Sequence, residues 1–187
     1  MARRLAKKLK LPHATLRIDL RQIGGSSLTD SNIPLPQYKR LAEMKEEIPP
    51  TYVPFRNGIF LALATAWAEA KGLKEIVCGF NIIDSPNYPD TRREFVEAME
   101  RAINTGTKAS SGGEKMKIIA PFVNKKKSEI VKEGLSLGAD YSYSISCYQG
   151  EEIPCKRCSS CLLRQKAWEE VGLRDPLLLR LEKEGKI

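Results

Sequence analysis

The chain predicts an α/β fold with its strands paired in parallel. Three observations carry that reading. Short apolar runs, EIVCGF and KIIAP, alternate with longer helix-patterned stretches that can serve as crossovers between parallel strands. Several of those stretches run into glycine, at Gly72, Gly138 and Gly172, where a left-handed residue stops a helix. Finally, 187 residues with 42% hydrophobic and 29% charged side chains suit a globular domain with its own core. One domain spanning residues 1–187 is expected, with a metal-binding knob at 147–165 within it.

Taken in order, MARRLAKKLK reads as a basic amphipathic helix with Leu5 and Leu9 on one face. Residues 14–20, ATLRIDL, alternate like a strand. Residues 24–50 are rich in Gly, Ser and Pro and read as a long loop. Residues 58–71, GIFLALATAWAEAK, form a strongly apolar helix. The buried strand EIVCGF follows, then the polar loop NIIDSPNYPD. Residues 91–104 form a helix, with Thr91 as N-cap and Glu94 as its capping-box partner. KIIAP is a further strand, residues 127–137 a helix, and residues 162–171 a helix after the cysteine loop. In a parallel sheet, the loops beginning at Asn81 and Pro121 fall at the C-terminal strand ends, where functional groups gather.

The net charge is +8, which hints at an anionic partner such as RNA, a nucleotide or an acidic metabolite. The hint is diluted by clustering, since MARRLAKKLK and NKKK hold eight of the positive side chains. No apolar run approaches the ~20 residues that a membrane-spanning helix needs. With no signal peptide evident, a cytoplasmic protein is expected. His13 is the only histidine, and nothing near it offers a triad or ligand partner.

Cys147, Cys155, Cys158 and Cys161 form a C-x7-C-x2-C-x2-C run. Four thiolates around one centre suit tetrahedral Zn²⁺ in a closed structural site. Disulfides compete poorly in an intracellular chain. An iron–sulfur cluster is the sharper rival, but Leu162 stands where the ferredoxin run has proline. Cys78, within IVCGF, reads as a small buried hydrophobe.

Three further segments, TYVPFRN (51–57), DSPNYPDTRREF (84–95) and PFVNKKKSE (121–129), precede the cysteines in that order. Together with the loop GSSLTDSNIPLP, they resemble the 7-cyano-7-deazaguanine synthase family over about residues 1–175. The resemblance implies a Rossmann-like parallel sheet of the adenine nucleotide α-hydrolase (ATP-pyrophosphatase) type with a four-cysteine zinc knob. It also implies an ATP-dependent C–N ligase that turns 7-carboxy-7-deazaguanine and ammonia into 7-cyano-7-deazaguanine, or preQ0, for queuosine and archaeosine. ATP and Mg²⁺ come with that chemistry, and cations must offset the phosphate charge as it leaves.

By the same resemblance, Arg56 and Asn57 fall in the VP-x-RN motif and Lys127, with Glu129, in the K-x-E motif. These place Arg56, Asn57 and Lys127 at ATP, with Arg56 and Lys127 as the catalytic pair. Asp84, Tyr88, Asp90 and Arg92 match D-x-x-x-YPD-x-R and are the substrate-binding candidates. A carboxylate there suits the guanidine-like edge of the base, or Mg²⁺. Each motif also has a plainer reading: a loop-to-helix turn at Arg56, a proline-rich turn capped by Asp90, and a solvated lysine run at 125–127.

The sequence departs from the family pattern at Phe55, where glycine is usual, at Ile82-Ile83, and at Pro86-Asn87. The family's SGG-x-DS pyrophosphate loop has no match, because Ser111-Gly112-Gly113 is followed by Glu114-Lys115 and follows no apolar strand. The first strand and ATP loop are therefore expected to be missing, and residues 1–187 inactive alone. A homodimer, or a partner supplying that segment, follows from the same expectation. The alternative is a non-catalytic zinc-stabilised α/β module binding a deazaguanine, RNA or protein partner.

Overall fold

Two short runs of β-branched residues find each other and organise the centre of the molecule. The computed structural model describes residues 2–81 and 87–187. Strand β1 (Glu75–Val77) pairs in parallel with β2 (Lys117–Ile119), with Ile76 opposite Ile118. The crossover contains α3 (Arg93–Gly106) and the single turn α4 (Lys108–Ser111). Helix α2 (Arg56–Ala70) precedes β1. Leu61 and Ala68 of α2, Ile76, Val96 and Ile103 of α3, Met116 and Ile118 bury one another in the main core. Asn104 of α3 locks the crossover to the sheet, its amide accepting from Met116 N at 2.9 Å and donating to Met116 O at 2.8 Å.

Beyond β2, α5 (Lys127–Ser136) packs against α6 (Ser159–Val171). Trp168 of α6 is buried edge-on to Tyr141, and the Tyr141 hydroxyl donates to Ile130 O. A last helix, α7 (Pro176–Lys183), is seated by Leu177 and Leu181. Arg164 of α6 grips the α7 N-cap, Asp175, through two nitrogens at 2.5 and 2.7 Å. The N-terminal α1 (Ala2–Lys8) buries none of its side chains, and its Leu5 is exposed.

Several sequence expectations are corrected here. Residues 14–20 form no strand, because among the described residues no neighbouring strand pairs with them. Their alternation survives as a face: Ala14, Leu16 and Ile18 line an open apolar groove of about 470 Å³ with Phe60, Trp67 and Ile76. Strand β1 is less buried than its composition suggests, with Val77 69% exposed. Thr91 does not cap α3. It closes a 3₁₀ turn (Pro89–Thr91) by donating its hydroxyl to Tyr88 O, and the N-cap position is Arg92. Helix α6 begins at Ser159, inside the cysteine run, and α7 was not anticipated although Asp175-Pro176 is a clear helix start.

The sheet of the described residues has two strands. The mixed α/β character and parallel pairing agree with expectation, and the C-terminal strand ends do meet. There the Asn81 amide donates to the Lys125 carbonyl, joining the two exit loops. Ser111-Gly112-Gly113 closes α4 ahead of β2, with Gly113 at φ +81°, so it is a turn before a strand rather than a loop after one.

Candidate functional site

Two regions hold the residues singled out by sequence. The first is the cysteine knuckle. The four sulfurs of Cys147, Cys155, Cys158 and Cys161 all lie within 4.8 Å of one another. A tetrahedron with Zn–S bonds of about 2.3 Å separates its sulfurs by about 3.8 Å. Cys155 and Cys161 are 3.9 Å apart, so the cage fits that ion, and all five cysteines of the chain are free. Lys156 adopts φ +60°, which turns the backbone so that Cys158 N donates to the Cys155 sulfur at 3.3 Å. Cys155 N donates to the Cys147 sulfur at 3.3 Å. Burial acts to raise the Cys155 thiol, but the backbone donors of Arg157 and Cys158 outweigh it and hold it down at about 7. Burial pushes the Cys158 and Cys161 thiols up.

The knuckle grips more than the helix that starts in it. Leu35 and Tyr148 pack on the cysteine cluster, and Tyr38 N donates to Arg157 O at 2.8 Å, docking the long loop. Cys78 sits apart, half-buried against the main core, with its thiol raised by burial, as a small apolar residue.

The second region is built around the start of α2. Phe55 occupies the left-handed region at φ +51°, a conformation that costs a non-glycine residue on the order of 1 kcal/mol. Its ring lies over Gly58 and edge-on to Phe95, at 5.9 Å between centroids. The resulting turn has no side-chain cap of its own. Asp90 supplies one from the other side of the site. Its Oδ2 accepts from Asn57 N at 3.0 Å, and the Asn57 amide donates to Asp90 O at 3.2 Å. A carboxylate at a helix N-terminus is favoured by the dipole and by the open backbone donors. Asp90 is 3% exposed, and its Oδ1 has no partner among the described residues. Arg56 is equally incomplete, since its Nε is buried without a partner among those residues.

Tyr88, from the same turn as Asp90, reaches both regions. Its hydroxyl is 2.7 Å from Thr51 Oγ1 and 3.2 Å from the Tyr148 hydroxyl. Tyr52 packs edge-on to Tyr88 at 6.1 Å. The structure thus brings Arg56, Asn57, Tyr88 and Asp90 together. Lys127 lies at the next strand exit, as the first residue of α5. Glu129 serves that helix, its carboxylate accepting from Lys126 N at 2.6 Å. Arg92 is exposed at the start of α3, and Asp84 lies outside the described residues. The sequence reading assigned nothing to Thr51, Asn81, Ser146 or Tyr148. Among the described residues, Asn81 Oδ1 and Ser146 Oγ are also buried without partners. The adjacency of Tyr148 to Cys147 was the one signal available for it.

A family model described as queuosine biosynthesis protein QueC matches residues 1–172. The 7-cyano-7-deazaguanine synthase of Nostoc punctiforme is 45% identical over 175 residues, covering 93% of this chain and 78% of that protein. That of Trichodesmium erythraeum is 45% identical over 168 residues, covering 90% and 76%. That of Stutzerimonas stutzeri is 44% identical over 178 residues, covering 94% and 77%. The chain belongs to the 7-cyano-7-deazaguanine synthase family. The family match takes in both regions, since Arg56, the YPD turn, Lys127 and all four cysteines fall inside residues 1–172. No helix among the described residues is long and apolar enough to cross a membrane. Among those residues, the cysteines are the one group of three or more Cys, His, Asp or Glu arranged to hold a metal.

Proposed function

We propose that this chain acts in the synthesis of 7-cyano-7-deazaguanine from 7-carboxy-7-deazaguanine, ATP and ammonia. The observation that carries the reading is the pair of open buried groups at the start of α2, Arg56 Nε and Asp90 Oδ1. Buried polar atoms without partners are rare and call for an explanation. A guanidinium donor suits the anionic carboxylate or phosphate, and a carboxylate oxygen suits the donor edge of the base. Tyr88 offers a ring beside that edge.

The chemistry needs a leaving group on a poor electrophile. A substrate carboxylate oxygen attacks the α-phosphorus of ATP, and pyrophosphate departs. Ammonia then attacks the acyl carbon and releases AMP, giving the amide. A second ATP activates the amide oxygen, and its departure as AMP with proton loss leaves the nitrile. Arg56 and Lys127 offset the charge that develops on phosphate oxygens in both activations. Asp90, bonded to Asn57, fixes the start of the helix that carries Arg56, and Arg92 and Asp84 complete the substrate contacts. ATP brings Mg²⁺ as its own complex. Zinc, held by Cys147, Cys155, Cys158 and Cys161, supplies structural cross-linking.

The test incubates the polypeptide of residues 1–187 with 7-carboxy-7-deazaguanine, MgATP and ammonium, following AMP and nitrile by mass. Residues 1–187 contain no SGG-x-DS run, so little or no turnover alone is expected, with calorimetric binding of 7-carboxy-7-deazaguanine retained. Adding a relative's SGG-x-DS segment in trans should then raise nitrile formation. Arg56→Ala should weaken binding by tenfold or more, about the value of one charged hydrogen bond. No nitrile in either arm together with no binding overturns the proposal. A homodimer that covers the apolar groove belongs to the same reading, and light scattering should give about twice the 21.0 kDa chain mass.

A further inference from the structure

The tyrosine beside the first metal ligand faces two ways. Its backbone follows Cys147, and its ring packs on the cluster of Cys147, Cys158 and Cys161. Its hydroxyl lies 3.2 Å from the Tyr88 hydroxyl, which lies 2.7 Å from Thr51 Oγ1. Thr51 is 3% exposed and opens the segment that leads into Arg56. Tyr88 begins the turn that carries Asp90. Three hydroxyls in a row therefore connect the cysteine cage to both loops that hold the open Arg56 and Asp90 groups.

We propose that Tyr148 is a positioning residue through which metal occupancy sets the geometry of the Thr51–Asn57 and Tyr88–Asp90 loops. The physical argument is one of constraint. A hydroxyl on a side chain anchored by a four-coordinate centre moves little, so its partner Tyr88 is held with it. Without the metal, residues 147–161 lose their cross-link, and Tyr148 loses its fixed base. The hydrogen bond to Tyr88 then no longer fixes the two loops, which Tyr88 and Thr51 join, to the cysteine knuckle. That these loops receive the deazaguanine rests on the function proposed above; the coupling itself does not.

Amide hydrogen exchange on the zinc-loaded chain, without substrate, tests the coupling. Tyr148→Phe keeps the ring and removes the hydroxyl. It should leave one zinc per chain and speed exchange at residues 51–57 and 88–92 about fivefold, the equivalent of one neutral hydrogen bond. Tyr88→Phe, which removes the contact to Thr51 as well, should speed exchange further, and the double variant should go little beyond Tyr88→Phe. Chelation of the wild-type protein should reproduce the acceleration at 51–57 and 88–92, and chelation of Tyr148→Phe should add little there. Unchanged exchange in Tyr148→Phe, or accelerations that multiply in the double variant, would overturn the inference. Calorimetry with 7-carboxy-7-deazaguanine is the second arm. Exchange effects with unaltered binding keep the metal-to-loop coupling and count against the substrate role of these loops.

Discussion

The cysteine knuckle and the start of α2 are both candidate sites, yet they are built in opposite ways. All four knuckle ligands come from one stretch of 15 residues, 147–161, and one ion's geometry dictates their spacing. The edge at α2 is assembled from Thr51–Asn57 and Tyr88–Asp90, more than thirty residues apart, with a helix and a strand between them. The difference teaches that a local motif announces its own chemistry, whereas a long-range site hides which of its polar groups are structural. Asp90 matches a family motif and also caps α2. Glu129 likewise matches one and caps α5.

The sharpest way to break the comparison is to remove a metal ligand. Structural zinc contributes about 10–16 kcal/mol of apparent binding energy in small zinc domains. Cys158→Ser is therefore expected to abolish the one-to-one zinc stoichiometry and to unfold the 144–165 region. Elemental analysis and near-ultraviolet circular dichroism read both effects. A dominant iron signal with visible absorption in the wild-type protein would replace the zinc assignment.

Next in size is the long-range edge. Asp90→Ala leaves Asn57 N–H buried without its acceptor and removes the side-chain cap that α2 receives from Asp90. A loss of about 2 kcal/mol in urea unfolding is expected, with zinc content unchanged. Zinc loss in this variant would show that the two regions fail together.

Gly134→Ala comes third and probes the packing of α5 on the helix that leaves the knuckle. Alanine normally favours a helix interior over glycine by about 1 kcal/mol. Here its Cβ meets the Tyr141 hydroxyl at 2.0 Å, and that ring is held by buried Trp168. The sign should reverse, to a destabilisation of about 1–3 kcal/mol. Gly106→Ala, with nothing within 4 Å of the added carbon, is the control and should be close to neutral. The smallest effect belongs to the surface pair Lys74–Glu114, both partners about half exposed. Lys74→Ala should shift the unfolding free energy by no more than about 0.5 kcal/mol.

Legibility followed the range of the interactions. Helices α2, α5 and α6 were readable because their apolar content lies within the element and their glycine stops within two residues of its end. Residues 14–20 were misread because alternation reports a face, and only a paired neighbour makes a face into a strand. Thr91 was misread because its hydroxyl found the Tyr88 carbonyl, a turn partner, before any helix donor. Tyr148 was passed over because its importance lies in a hydroxyl contact sixty residues away.

Spacing and motif order along the chain sufficed for the four-cysteine cluster, the α/β class, the parallel strand pair and the family. Each of these rests on spacing or on the order of motifs along the chain. Only the tertiary structure decided which motif residues face one another. It assigned the cap of α2 to Asp90, left Arg56 Nε and Asp90 Oδ1 open, and joined the cage to the edge through Tyr148 and Tyr88. The physical reason is that a hydrogen bond depends on direction and on a few tenths of an ångström. Composition and periodicity set which faces are buried, but not which two polar atoms meet.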